Sequence, residues 1–169
     1  KWAEGKFNSR QLQSIKIEDL LERDPILINN NQIKAQVKGK RILVTGAAGS
    51  IGSEIVRQLI PFGPELIILC DQAETPLHAL ELELIEHGTR VNCLNYLADV
   101  TNKNRMSNLF EEFKPHYVYH AAAYKHVPMM ELCPTEAVRN NLIGVKVIAD
   151  LAIQHGVERF VMISTDKAV

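Results

Sequence analysis

The sequence lacks several features that mark whole classes of protein. It has no uninterrupted apolar run of the ~20 residues that a membrane-spanning helix needs, so nothing in it is predicted to cross a bilayer. Its 19 basic and 20 acidic residues leave a net charge of −1, which gives no electrostatic reason to expect nucleic acid or an anionic membrane as a partner. The six histidines are scattered and none belongs to an HExxH motif, so we predict no metal site.

Cysteine is scarce as well. The chain has three cysteines, an odd number at wide spacing, which argues against a disulfide framework. Cys70 and Cys93 fall in strand-like runs and Cys133 in a helical context. We therefore predict buried free thiols and a reducing compartment such as the cytosol.

The first part of the chain differs in composition from the rest. It begins Lys1-Trp2, with neither an initiator methionine nor a signal peptide, and we expect it to be a piece of a longer protein. Residues 1–39 carry many charges and only short apolar groups, which predicts an N-terminal helical arm. Within it we predict a helix from Glu18 to Asp24-Pro25, an extended stretch over residues 26–28 and a second helix over residues 32–37.

Residues 40–169 show a regular alternation of apolar runs and helical periodicity. The pattern predicts strands over residues 41–45, 65–70, 91–97, 116–120 and 159–164, and helices over residues 50–62, 75–87, 103–113 and 134–155. Strands that alternate with helices form right-handed crossovers. We therefore predict an α/β fold, a Rossmann doubly wound parallel sheet of order 3-2-1-4-5, as the second domain.

A glycine loop lies between the first predicted strand and the first helix of this domain. Gly46 permits a tight turn, Gly49 lets the backbone approach a pyrophosphate, and Gly52 lets the helix pack closely on the sheet. Together with Ser50 and Ile51, they are predicted to hold the pyrophosphate of a dinucleotide on free N–H groups at the helix N-terminus. A glycine turn without a ligand is the alternative.

Acidic residues follow the second and third predicted strands. Asp71 can accept hydrogen bonds from the adenosine ribose hydroxyls and repel a 2′-phosphate, and no Arg or Lys follows it directly, which favours NAD over NADP, although NADP remains an option. Asp71 can instead, or in addition, cap the next helix. Asp99 and Val100 can meet the adenine edge, or serve to cap the helix that follows.

Three further groups of residues are predicted to reach the same site, because ligands of open α/β sheets bind at the carboxyl ends of the strands. Small residues after the fourth strand let the backbone pass close to a cofactor; these are Ala121, Ala122 and Ala123. Lys125 and His126 can bind a diphosphate-bearing substrate or be solvated loop residues. Asn141, in mid-helix where asparagine is unfavourable, suggests a polar task in cofactor binding.

Thr165, Asp166 and Lys167 follow the fifth strand. A carboxyl group beside an ammonium group at the mouth of a cofactor cleft supplies a potential acid and a potential base. A surface turn with a local ion pair is the alternative.

From about Val37 onward the chain resembles the extended short-chain dehydrogenase/reductase enzymes, and in particular the polysaccharide-biosynthesis (CapD-like) group of UDP-N-acetylglucosamine 4,6-dehydratases. The segments that carry the resemblance are residues 44–54, 71–74, 120–128 and 164–169, of which the last two are more specific than the glycine loop.

The resemblance implies a reaction on a UDP-sugar. Hydride passes from C4 of the hexose to NAD(P)+, a base removes the C5 proton, an acid assists loss of the C6 hydroxyl, and hydride returns to C6. The family roles map to Thr165 as the hydrogen-bonding partner of the C4 oxygen, Asp166 as the acid and Lys167 as the base.

The resemblance also implies parts that this sequence does not contain. The family uses a further Tyr/Met-x-x-x-Lys segment and a C-terminal substrate domain, so we expect the chain alone to be inactive. Residues 17–25 resemble the segment before the catalytic domain of larger members, in which transmembrane helices anchor a cytoplasmic domain to the inner membrane. We expect the full-length protein to be a homo-oligomer. A nucleotide-sugar epimerase or reductase, and a non-catalytic NAD-binding sensor, are the alternative functions.

Overall fold

A computed structural model describes residues 30–89 and 91–164 of the chain. Its centre is a five-stranded parallel sheet of order β3-β2-β1-β4-β5. The strands are β1 Arg41–Thr45, β2 Leu66–Asp71, β3 Cys93–Leu97, β4 Tyr117–His120 and β5 Arg159–Met162. The predicted Rossmann fold and strand order are therefore confirmed.

Helices connect the strands on both faces of the sheet. They are α1 Asn30–Val37, α2 Ser50–Leu59, α3 Glu74–Glu86, α4 Lys103–Phe113, α5 Val127–Leu132, α6 Pro134–Val138 and α7 Val145–Gln154. A 3-10 turn, Ile60–Phe62, extends α2, and a π-helical segment, Arg139–Gly144, joins α6 to α7. The bounds predicted for α4 agree with the structure residue for residue.

The core has two layers because successive side chains of a strand point to opposite faces of the sheet. On one face, Ile42 and Val44 pack with Val56 of α2 and Leu80 of α3. On the other face, Leu43 packs with apolar residues of α4 and α7, including Phe110 and Ile148. Each such fully buried side chain contributes roughly 1.5–3 kcal/mol of transfer free energy.

The strand register determines where the loops emerge. Thr45, the last residue of β1, pairs with Cys70 of β2 and with His120 of β4. Asp71, the last residue of β2, pairs with Leu97. The carboxyl ends of four neighbouring strands thus lie level, and the segments that follow them meet at one edge of the sheet.

The long helix predicted over residues 134–155 is confirmed as a continuous helical stretch from Pro134 to Gln154, which consists of α6, the π-helical segment and α7. The π-helical segment and the separate helix α5 before it are not predicted. Two apolar side chains of the other helices point to solvent, since Ile51 is 54% exposed and Ile85 is 66% exposed. The buried side of α2 carries Gly52, Ser53 and Val56, and Gly52 is the residue that lies against the glycine loop.

The prediction of buried thiols holds for Cys70 and not for Cys133. Cys70 is buried in β2, and burial raises the pKa of its thiol to about 12. Cys93 is half-buried, and burial raises the pKa of its thiol to about 11. Cys133 is exposed because it lies between α5 and α6 rather than inside a packed helix.

The N-terminal part is only partly described. The chain divides by its internal contacts into Lys1–Asn30 and Asn31–Val169. The predicted helix near Glu18 and the extended stretch over residues 26–28 lie outside the described residues, whereas the second predicted helix is present as α1. No helix in the described part of the chain has the length and apolar character needed to cross a membrane. The domain boundary between residues 39 and 40 stays a prediction.

Candidate functional site

The glycine loop between β1 and α2 packs tightly against the end of β4. Gly46 has a φ of +66°, and a Cβ there would lie 2.6 Å from the nitrogen of Ala122. A Cβ on Gly52 would lie 2.0 Å from the carbonyl oxygen of Gly46. Both positions therefore need glycine, one for its conformation and its close approach to β4, the other for helix packing.

The start of α2 offers hydrogen-bond donors. Its N-cap residue, Gly49, has no side chain to accept them, and the first helical bond runs from the N–H of Ser53 to the carbonyl of Gly49. The N–H groups of the helix residues before Ser53 have no intrahelical partner, and the helix dipole adds partial positive charge there. This donor set fits the diphosphate of the predicted dinucleotide.

Asp71 is tied to the loops on both sides of it. Its Oδ2 accepts a hydrogen bond from the N–H of Ala48 at 3.0 Å, and its Oδ1 accepts one from the N–H of Ala73 at 3.0 Å. The N-cap residue of α3 is Ala73, so the idea that Asp71 is itself the cap is wrong; Asp71 instead holds the cap residue from outside. Each carboxylate oxygen keeps a further lone pair for a ligand hydroxyl.

A cleft of about 250 Å³ lies over these loops. Its walls come from the glycine loop, the ends of β2, β3 and β4, and the π-helical segment. The lining residues are Gly46, Ala48, Gly49, Asp71, Gln72, Ala73, Pro76, Ala98, Val100, Ala121, Ala122, Ala123, Tyr124 and Asn140. Asp71 is the one charged residue among these lining residues of the described chain, so the wall carries no cation that would favour a 2′-phosphate.

The structure thus brings together seven of the residues predicted to bind the cofactor. They are Gly46, Gly49, Asp71, Val100, Ala121, Ala122 and Ala123. Ser50 and Ile51 are exposed in the first turn of α2, and Gly52 is buried beneath the loop. Lys125 and His126 are exposed and follow Tyr124 without lining the cleft. The predicted catalytic residues Thr165, Asp166 and Lys167 lie outside the described residues.

Asp99 is also outside the cleft lining. Its Oδ1 accepts a hydrogen bond from the N–H of Thr101 at 2.8 Å, and its Oδ2 lies 3.5 Å from Arg139. The N-cap of α4 is Asn102, whose side chain accepts a hydrogen bond from the N–H of Arg105. The alternative in which Asp99 caps the helix is therefore wrong, while its neighbour Val100 lines the cleft.

Among the polar side chains of the cleft wall, three are absent from the sequence-based prediction, namely Gln72, Tyr124 and Asn140. Gln72 Nε2 donates a hydrogen bond to the Tyr124 hydroxyl at 2.9 Å. Asn140 is buried, and its Nδ2 donates to Asn141 Oδ1 at 3.1 Å. The signal in the sequence is the pair of adjacent asparagines in mid-helix, of which only Asn141 belongs to the predicted site.

Asn141 acts through the backbone of Tyr124 in this structure. Its Oδ1 accepts a hydrogen bond from the N–H of Tyr124, and its Nδ2 donates to the carbonyl of Tyr124, both at 2.8 Å. Two bonds to one residue fix the course of the chain where it leaves the alanines that line the cleft. Asn141 does not line the cleft itself.

A buried polar pair lies below the cleft. Thr45 Oγ1 and His120 Nδ1 are 2.7 Å apart at the ends of β1 and β4. Burial lowers the pKa of His120 to about 4, so the imidazole is neutral at neutral pH. In the described part of the chain its Nε2 has no hydrogen-bond partner. The pair joins the two strands immediately before Gly46 and Ala121.

Among the described residues no group of three His, Cys, Asp or Glu side chains is arranged to hold a metal ion. The described cleft presents backbone donors, one carboxylate, the polar side chains of Gln72, Tyr124 and Asn140, and apolar side chains.

Comparison with known proteins relates the chain to a family. Residues 42–169 match the family described as polysaccharide biosynthesis protein. The capsular polysaccharide biosynthesis protein CapD of Staphylococcus aureus is 48% identical over 98% of this chain. The chain spans 28% of the length of that relative.

Other relatives are identical at lower levels or over less of the chain. An uncharacterized membrane protein of Methanocaldococcus jannaschii, MJ1061, is 46% identical over 78% of this chain and 38% of its own length. A UDP-N-acetylglucosamine 4,6-dehydratase (inverting) of Campylobacter jejuni is 36% identical over 77% of this chain and 37% of its own length.

Solved structures share the fold. The UDP-glucose 4-epimerase of Thermotoga maritima, solved with UDP-glucose, has a TM-score of 0.65 at 32% identity and covers 76% of this chain and 38% of its own. The UDP-glucose 4-epimerase of Thermus thermophilus, solved with NAD, has a TM-score of 0.60 at 32% identity and covers 71% of this chain and 36% of its own. The chain therefore belongs to the polysaccharide biosynthesis family of extended short-chain dehydrogenase/reductase enzymes.

Proposed function

We propose that this chain is the NAD-binding part of a nucleotide-sugar 4,6-dehydratase that acts on UDP-N-acetylglucosamine or a close relative of it in surface polysaccharide synthesis. The observation that carries the proposal is the cleft, in which the glycine loop, Asp71 and three alanines meet at one edge of the sheet. The similarity to the Campylobacter jejuni dehydratase supports the reaction type.

The proposed cofactor site uses the chain's own donors and acceptors. The diphosphate accepts hydrogen bonds from the N–H groups at the start of α2, including those of Ser50 and Ile51. Asp71 accepts hydrogen bonds from the ribose hydroxyls, and its negative charge disfavours a 2′-phosphate, which supports NAD rather than NADP. The alanines after β4 let the ligand approach the backbone.

When bound, NAD supplies a hydride acceptor that later returns the hydride. The family pattern assigns the proton transfers to side chains that follow β5. The last residue of β5, Met162, pairs with His120 at the cleft end of the sheet. Thr165 holds the C4 oxygen by a hydrogen bond. Lys167 takes the C5 proton as a neutral amine, and Asp166 gives a proton to the departing C6 hydroxyl, which leaves as water. The C4 hydroxyl proton passes to solvent when C4 is oxidised, and C5 takes up a proton again when the hydride returns to C6. Lys125 and His126 are proposed to contact the substrate diphosphate.

The test uses the protein at its natural full length, incubated with UDP-N-acetylglucosamine and NAD. We expect mass spectrometry to show a product lighter than the substrate by one water. The Asp166→Asn variant should lose this product because an amide is too weak an acid to protonate the leaving hydroxyl, whereas Asp150→Asn, at an exposed position on α7, should keep it. Full turnover by the Asp166→Asn variant would reject the assignment.

A second candidate is a nucleotide-sugar epimerase, which the likeness to two UDP-glucose 4-epimerase structures at 32% identity supports. An epimerase changes the configuration at one carbon without loss of water, so its product has the mass of its substrate. The same incubation therefore separates the two functions. A product of unchanged mass would favour the epimerase.

We also propose that the full-length protein is a homo-oligomer whose catalytic domain, from residue 40 onward, lies at the cytoplasmic face of the inner membrane. The related MJ1061 is described as a membrane protein, which supports an anchored arrangement. Fractionation of cells that express the natural protein should find it with the membranes. Light scattering of the detergent-solubilised protein should give a mass above that of one subunit.

A further inference from the structure

Two side chains meet over the glycine loop, above the site proposed for NAD. Gln72 follows β2 and Tyr124 follows the end of β4, and the Gln72 side chain donates a hydrogen bond to the Tyr124 hydroxyl at 2.9 Å. β1 lies between these two strands in the sheet. Since neighbouring strands are about 4.8 Å apart, the contact spans roughly 10 Å of the sheet edge.

The backbone on the Tyr124 side of this contact is fixed. Asn141 holds the N–H and the carbonyl of Tyr124 with two hydrogen bonds of 2.8 Å, and the buried Asn140 in turn donates to Asn141. Both asparagines belong to the π-helical segment, a rare geometry that often occurs at functional sites. A hydrogen-bonded chain therefore runs from the helix layer to the cleft mouth.

The Gln72 side is free to move. The Gln72 side chain is exposed, and its described bond is the one to the Tyr124 hydroxyl. A change in its side-chain rotamers breaks the contact without any change in the backbone. Rotation of this one glutamine side chain is therefore enough to open the contact.

A dinucleotide would follow the same path as this contact. If its adenosine lies at Asp71 and its other half at the alanines after β4, its diphosphate crosses the glycine loop between Gln72 and Tyr124. We propose that the Gln72–Tyr124 hydrogen bond is a latch that closes the cleft in the ligand-free protein and must open for NAD to enter or leave. This inference rests on the proposed NAD site.

The latch has a predictable effect on rates. A single neutral hydrogen bond at a protein surface shifts an open–closed equilibrium by roughly two- to tenfold. The observed association rate for a ligand that enters only the open state equals the rate for the open state multiplied by the fraction of protein that is open. Removal of the latch should therefore raise the association rate by a factor in that range.

The test measures NADH association and dissociation rates by stopped-flow fluorescence with the protein at its natural full length. Gln72→Ala and Tyr124→Phe should each raise the association rate about two- to tenfold. The double variant should be no faster than the faster single variant, because both substitutions remove the same bond.

Two matched controls separate the latch from general effects. Gln58→Ala removes a glutamine on the exposed face of α2 that is bonded to Glu54. Tyr119→Phe removes a tyrosine hydroxyl from β4, and Tyr119 does not line the cleft. Both controls should bind NADH at the rate of the unaltered protein.

The outcomes distinguish the latch from the cofactor site. Saturable NADH binding with unchanged association rates in both single variants would overturn the latch and leave the NAD site standing. Slower association with faster dissociation would overturn it too, since the two side chains would then be ligand contacts. An unaltered protein that shows no saturable NADH binding would overturn the NAD site and the latch together.

Discussion

At the scale of single residues, His120 should make the stability of the domain depend on pH. Burial lowers its pKa from 6.5 to about 4, so the folded state takes up this proton less readily than the unfolded chain. Its contribution to stability is present above pH 6.5 and is lost as the pH falls from 6.5 towards 4. At pH 5 the loss relative to neutral pH is about 2 kcal/mol.

We predict that His120→Asn reduces this pH dependence by about that amount, because an amide can still bond to Thr45 and does not titrate. Urea unfolding at pH 7.5 and pH 5 measures it. Some dependence should remain, since burial also lowers the pKa of His116. His78→Asn, at an exposed position on α3, is the control for loss of an imidazole at the surface. If the His120→Asn variant lost as much unfolding free energy between pH 7.5 and pH 5 as the unaltered protein, the prediction would be contradicted.

Asp71 is predicted to stabilise the glycine loop even without a cofactor. An asparagine offers one acceptor oxygen, so Asp71→Asn leaves the N–H of Ala48 or of Ala73 without its present partner. We expect the ligand-free protein to lose roughly 1–2 kcal/mol of unfolding free energy. We also expect NADH to bind more weakly while NADPH binding changes less, because the charge that repels a 2′-phosphate is gone.

Chemical unfolding and fluorescence titration with NADH and NADPH check this prediction. Glu74→Gln, in the exposed first turn of α3, is the matched loss of one carboxylate nearby. If Asp71→Asn changed cofactor affinity and left the ligand-free stability intact, Asp71 would be a ligand contact without a part in holding the loop.

At the scale of elements, the glycine loop and α2 form one packed unit. A methyl group on Gly52 would lie 2.0 Å from the Gly46 carbonyl oxygen, which is backbone and has no rotamer to change. We predict that Gly52→Ala displaces the loop, lowers the unfolding free energy by roughly 1–3 kcal/mol and weakens NADH binding at least tenfold.

The control for this substitution is Gly88→Ala at the end of α3. Gly88 has a φ of +64° and nothing within 4 Å of a Cβ, so an alanine there is strained by about 1 kcal/mol and touches no neighbour. Thermal unfolding should respond to both variants and NADH titration only to Gly52→Ala. Equal NADH affinity in the two variants would show that the loop does not depend on this contact.

Elements with a clear period are predictable from the sequence. The apolar runs of β1 and β2 and the periodicity of α4 indicate the sheet and its order, since alternation of strands and helices permits few topologies. The π-helical character of residues 139–144 is not predictable in this way. A π-helical turn adds a residue to the helical repeat, and apolar periodicity does not reveal such an insertion, so the sequence predicts a single helix over residues 134–155.

The residues of the candidate site also fall into those that the sequence predicts and those that it does not. The glycines and Asp71 are predictable because each stands at a fixed distance from a strand end, where the fold constrains the chemistry. Gln72, Tyr124 and Asn140 are not, because their contacts depend on how segments from two strands and a helix meet in space. Local sequence contains no record of such long-range pairs.

At the scale of the whole molecule, the amino ends and the carboxyl ends of the strands differ in how their polar groups are paired. At the amino ends, which lie opposite the cleft, polar contacts join distant parts of the chain. Lys40 pairs with Glu158 at 2.7 Å, and the Arg41 N–H donates to His116 Nδ1 at 3.0 Å. The cleft end instead presents loops and the start of α2. The polar groups at the opposite end are therefore paired within the chain, while the cleft end leaves donors and acceptors available to a ligand.

This difference predicts where NADH should change amide hydrogen exchange. Exchange by local opening slows only where the ligand contacts the chain, so we expect protection over residues 46–52, 71–73 and 121–124, and none at the Arg41 amide when it exchanges by local fluctuation. For amides that exchange only by global unfolding, the free energy of opening should rise by the stabilisation that the ligand adds, about 2.7 kcal/mol at a hundredfold excess of NADH over its Kd.

A shorter ligand separates the two halves of the site. AMP, which lacks the second half of the dinucleotide, should protect residues 71–73 and leave residues 121–124 unchanged. Protection by NADH concentrated at the Lys40–Glu158 edge would place the ligand at the wrong end of the sheet.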